Sequence, residues 1–163
     1  MRKNIRMVLL GELILFIALF LFNLFMCTGN LFNLEIFFDI PSLLFILIIL
    51  IPGLMIMGEW KNFTKAFSVG IKEFTLLELK EIIQAVKAAQ ALTLFGALFA
   101  ILSSVVIILI KVFEIDSMLI GPNLAVCLLS GFYAAIIEYF LLPLRLNAEH
   151  KMNEEMDFED ESI

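Results

Sequence analysis

Two carboxylates stand inside otherwise apolar runs: Glu12 within residues 7–26 and Glu138 within residues 119–144. An ionisable group in hydrocarbon is costly. A chain that keeps one there uses it to bind or pass an ion, or lets it snorkel to the nearby interface or pair with a basic side chain. Glu138 closes a stripe of Asn123, Cys127, Ser130, Ala134 and Glu138, whose steps of three and four residues keep it on one helix face. In the run 88–110, Thr93, Ser103 and Ser104 supply hydroxyls, while Gly96, Ala100 and Ser104 form a small-xxx-small series that lets membrane helices approach closely. Counted from the ends of their runs, Glu12, Thr93 and Glu138 share a depth of about 8 Å inside one boundary at the helical rise per residue. Glu138, Thr93, Ser103, Ser104, Ser130 and Glu12 are therefore the candidates for an ion path, and Gly96, Ala100 and Ala134 the candidates for helix packing.

Other chemistry lacks its parts. The chain has no HExxH, GxSxG or P-loop, its single histidine is His150, and Cys27 and Cys127 form no CxxC. Neither catalysis, a metal site nor a bound cofactor is expected. Of the 163 residues, 62% are hydrophobic and 17% charged, and the mean hydropathy is +1.03. Those values imply an all-α, polytopic membrane protein whose solvent is the lipid bilayer. Four runs, about 7–26, 42–58, 88–110 and 119–144, are long enough to cross about 30 Å of hydrocarbon, the second only just. The first is too long for the apolar part of a cleaved signal and is expected to stay as an anchor. Residues 1–148 would form one four-helix membrane domain. The net charge of −6 comes from the stretch 149–163, where Glu149, Glu154, Glu155, Asp157, Glu159, Asp160 and Glu161 crowd together and read as a disordered acidic tail. Without it no basic face remains for nucleic acid.

The elements that must position these residues are readable in part. With the N-terminus inside, Arg2, Lys3, Arg6, Lys61, Lys65, Lys72, Lys80, Lys87, Arg145 and Lys151 all face the cytoplasm, and only Lys111 lies outside, among Glu35, Asp39, Glu114 and Asp116. Both termini and the loop 59–87 are then cytoplasmic. Within that loop Trp60, Phe63 and Phe67 recur at helical spacing, as in a short helix in the headgroup layer ending near Gly70. Thr75-Leu76-Leu77-Glu78 has the form of a capping box. The stripe Leu76, Leu79, Ile82, Ile83, Val86 and Ala89 then leads into the third run without Gly or Pro, predicting one helix from Leu76 to about Lys111 that extends into the cytoplasm.

Two motifs add a family. Asp39-Ile40-Pro41-Ser42 opening the second run, and Gly121-Pro122-Asn123-Leu124-Ala125-Val126 opening the fourth, with Phe132-Tyr133 and Leu142-Pro143-Leu144 after it, resemble the MotA branch of the MotA/TolQ/ExbB proton-channel family. The resemblance covers roughly residues 1–148. It implies a bacterial cytoplasmic (inner) membrane subunit that forms a homo-oligomeric ring, a pentamer on the family pattern, around a single-span partner of the MotB or ExbD type. Ion flow, protons in the family, would drive force. Phe95-Gly96 matches the start of the family's pore-facing third span, and the polar faces of the third and fourth spans would point toward the partner. The chain departs from the pattern where a family proline is Thr93 and a Gly-Thr pair is Phe99-Ala100, and its loop 59–87 is shortened. Those departures leave a second expectation, a non-conducting scaffold subunit of a membrane assembly.

Overall fold

The computed structural model describes residues 5–28, 37–111 and 117–161. They form α1 (Ile5–Thr28), α2 (Ile40–Ile56), α3 (Trp60–Ala66), α4 (Leu76–Lys111) and α5 (Ser117–Glu161). Among the described residues there is no strand, only an isolated bridge between Val69 and Lys72. α1, α4 and α5 are each long and apolar enough to cross a membrane; α2 supplies a fourth candidate with α3, against which it is bent by 110°. Of the residues used for orientation, Arg2, Lys3, Glu35, Glu114 and Asp116 lie outside the described residues.

α2 begins and ends two residues earlier than the expected 42–58, because both ends are set by local chemistry. Asp39 caps it, its carboxylate accepting from the Ser42 backbone N–H at 3.2 Å and from the Ser42 hydroxyl. Pro41 fits the first turn, where a missing N–H leaves nothing unsatisfied. The Tyr133 hydroxyl then fastens this end to α5, donating to the Phe37 carbonyl at 2.6 Å and accepting from the Asp39 N–H at 2.7 Å. At the other end Gly58, at φ 75°, takes the left-handed conformation that turns the chain into α3.

The α3–α4 connection follows the expected pattern. Gly70 turns at φ 85°, and the capping box forms: the Glu78 N–H donates to Thr75 Oγ1 at 3.3 Å and the Thr75 N–H to Glu78 Oε2 at 3.2 Å. Lys65 Nζ donates to Glu78 Oε1 at 3.0 Å, and that bond, with the one from Thr75, holds the Glu78 carboxyl below the usual carboxylate range. α4 then runs unbroken for 36 residues.

The main core lies at the end of the bundle that holds the α2–α3 elbow. There Ile5, Leu54, Ala66, Ile82, Leu144 and Ala148 draw all five helices together. Toward the far end the large apolar side chains point outward instead: Ile14 and Phe22 of α1, Ile48 of α2, Leu94, Phe95 and Leu98 of α4, Leu128 of α5. So much exposed apolar surface suits hydrocarbon and not water.

Within the acidic stretch 149–163, expected to be disordered, the described residues are helical: α5 continues to Glu161. Composition concealed what register and packing supply. Lys151 donates to Glu155 at 2.7 Å and Glu154 at 3.4 Å, one turn away; the Glu155 bond first and the Glu154 bond after it push the Lys151 ammonium's pKa up. Ala148 is buried, Met152 packs against the main core, and Asn147 Nδ2 donates to the Val69 carbonyl at 3.2 Å.

Two glycines make contrasting contacts. A Cβ on Gly96 would meet Ile46 Cα and Ile49 at 3.6 Å, ordinary contact, whereas one on Gly53 would lie 2.9 Å from Leu92 Cδ1. Gly96→Ala should therefore change thermal stability in detergent by less than about 1 kcal/mol, the gain in helix propensity offsetting any strain. Gly53→Val, which adds branching where Leu92 already presses, should cost about 1–3 kcal/mol.

Candidate functional site

α4 and α5 pack antiparallel along most of their length, and small residues set how closely. Ala97 and Ala134 meet at Ile46 of α2 in a second buried cluster, and a Cβ on Gly131 would lie 3.3 Å from Ile101 Cδ1. Ala134 lies at a helix–helix contact. Gly96 does too, but against α2 rather than α5, and Ala100 is buried one turn on.

Following the α4–α5 seam toward the elbow end, the contacts change from methyls to charges. Gln90 Nε2 donates to Glu138 Oε2 at 2.9 Å, and Arg145 Nη1 donates to Gln90 Oε1 at 3.0 Å. Arg145 Nε lies 3.6 Å from Glu149 Oε1, which also meets Lys87 Nζ at 3.4 Å. The result is a ladder from the helix surface at Lys87 and Glu149, through Arg145 and Gln90, to Glu138 inside the apolar length of α5. Glu138 Oε1 is buried and accepts no hydrogen bond. A buried carboxylate oxygen without a donor is costly for an anion, and a proton or a cation would relieve it.

Comparison with protein-family models, curated proteins and solved structures returns no match. What this site can do therefore rests on its own geometry.

That geometry treats the expected ion-path residues differently. Thr93 is fully buried, and its hydroxyl donates to the Ala89 carbonyl of its own helix at 2.9 Å. Ser130 is buried among the packed helices, and Ser103 and Ser104 are half-buried toward the far end of α4. Glu12 is not at the depth of Glu138. Phe16 meets Tyr139 at a tilt and Phe140 edge-on, and Phe20 meets Phe132, so α1 runs antiparallel to α5 and Glu12 falls a turn lower, level with Pro143. Counting from run ends misplaced it because the apolar runs do not start at one plane. Glu12 instead borders a shallow groove with Met7, Val8, Gly11 and Leu15, and its Oε2 is buried without a partner. Of the motif residues, Asp39, Pro41 and Ser42 build the α2 cap, and Gly121 is exposed. The side chains of Pro122 and Asn123 lie outside the described residues.

Gln90 and Arg145 escaped the sequence reading as site residues. A lone amide near the start of an apolar run, and a basic residue seven positions after Glu138 on the same helix face, were the available signals.

Proposed function

We propose that the chain is a multi-pass subunit of an ion-gradient-driven membrane complex, MotA-like in organisation, in which Glu138 is the ion-responsive group. The observation that carries this reading is the Glu138 carboxylate, anchored by Gln90 through one oxygen while the other is buried without a donor. In this reading four helices cross the bacterial cytoplasmic membrane. Both termini, the α3 elbow, the first turns of α4 and the acidic end of α5 lie on the cytoplasmic side, as the distribution of lysine and arginine favours. Copies form a ring around a single-span MotB- or ExbD-like partner, and the outward apolar faces of α2, α4 and α5 supply the surfaces against copies, partner and lipid. The ladder to Lys87 and Glu149 would connect Glu138 to the cytoplasmic surface.

Reconstituting the chain with a single-span candidate partner in liposomes holding a pH dye tests the reading. Under an imposed potential, wild type should acidify or alkalinise the lumen at least about tenfold faster than Glu138→Gln, since loss of an essential ion-binding carboxylate removes the path. Equal rates in the two would overturn it.

A second reading, a non-conducting scaffold subunit, is favoured by one observation: Thr93 and Ser130, two of the expected ion-path hydroxyls, are buried within the chain's own packing. On that reading Glu138→Gln leaves transport by the complex unchanged while Ala134→Leu disrupts assembly.

A further inference from the structure

Gln90 sits between two charges that do not touch. Glu138 and Arg145 are seven residues apart on α5, about 10 Å along the helix axis at its rise per residue. The Gln90 side chain of α4 spans them, its carbonyl accepting from Arg145 and its amide N–H donating to Glu138. A bond from a cation polarises the amide and strengthens the bond it donates onward. The neighbouring elements offer Glu138 no substitute. α2 carries no titratable side chain between Ile40 and Ile56, Lys65 near the end of α3 is engaged by Glu78, and Glu12 of α1 lies a turn lower. On α4 Thr93 spends its hydroxyl on Ala89 and Lys87 lies against Glu149; on α5 Glu149 is shared between Lys87 and Arg145.

We propose that Gln90 is the positioning residue for Glu138: it relays the Arg145 charge across two turns of α5, occupies one carboxylate oxygen, and leaves the other as the atom that takes up the ion. The inference rests on the reading of Glu138 as the ion-responsive group, but it concerns how that carboxyl titrates and not whether the complex transports.

The test is the reaction of Glu138 with dicyclohexylcarbodiimide, which attacks protonated carboxyls in apolar surroundings, followed by mass spectrometry across a pH series in the full-length protein. Gln90→Met keeps the length of the side chain and removes both hydrogen bonds. Labelling of Glu138 should then persist about one pH unit further into the alkaline range than in wild type, the size expected for one lost bond to a charged group. Gln90→Leu likewise removes both bonds without adding a charge, and should widen the labelling range by a similar amount. A purely structural role predicts profiles superimposable on wild type in both variants, and that result would overturn the proposal. If Gln90→Met fails to fold, Gln90→Leu alone decides. A shifted profile together with equal flux in wild type and Glu138→Gln would retain the positioning role and discard the transport reading; an unshifted profile with Glu138-dependent flux would do the reverse.

Discussion

Ile82→Ala is expected to lower the stability of the purified protein by about 3 kcal/mol, and Ile46→Ala by only about 1 kcal/mol, although both side chains are 0% exposed. The difference is one of solvent. Ile82 sits in the core that joins α4 to α1, α2, α3 and α5 at the elbow end, where on the proposed membrane placement the unfolded reference is water. Its truncation loses the transfer free energy as well as leaving a cavity. Ile46 sits between Ala97 and Ala134 along the apolar length of the bundle. There the alternative to packing is lipid, as apolar as isoleucine, so only dispersion contacts are lost. Unfolding in mixed micelles by increasing denaturing detergent measures both. Equal costs would mean that the Ile46 contact is not embedded in hydrocarbon.

Arg145→Leu is the second large effect, about 2 kcal/mol of destabilisation. Leucine fills much the same apolar space on α5 but withdraws the donor from Gln90 and one of the two cations that meet Glu149, leaving Lys87 beside that carboxylate. Breaking one partner of a fully buried ion pair costs about 3–5 kcal/mol; here Arg145 and Glu149 are each 31% exposed, so solvent screens part of it. The companion variant Gln90→Met/Arg145→Leu shows whether the two act through one network: their costs should then combine to clearly less than the sum. Additive costs would separate the Arg145 end of the ladder from the Glu138 end.

Where the fold was legible in the sequence, the determinants were local. The start of α4 could be read because Thr75 and Glu78 satisfy each other's backbone within one turn, and its length because no Gly or Pro interrupts 76–111. The short helix α3 was legible through the Trp60 and Phe63 spacing, although it ends at Ala66 and not near Gly70. Features that depend on tertiary register were not legible. The helical course of 149–161 rests on Lys151 meeting acids one turn away and on Ala148 and Met152 finding the core, which composition alone does not reveal. The depth of Glu12 depends on how Phe16 and Phe20 stagger α1 against α5. At the site, Glu138 stood out as a charge in an apolar run. Gln90 did not, because an amide acquires its role only when the α4–α5 seam places it between a carboxylate and a guanidinium.

On the proposed orientation these helices are threaded through a bilayer with the elbow and the charge ladder on the cytoplasmic side. In a background with Cys27→Ser and Cys127→Ala, single cysteines at Lys72, exposed beyond the elbow, and at Phe38, exposed beside the α2 cap, report the two faces. A membrane-impermeant maleimide should label Phe38→Cys on intact cells and Lys72→Cys only in inverted vesicles. Labelling of Lys72→Cys from outside intact cells, or of both positions from the same side, would contradict it.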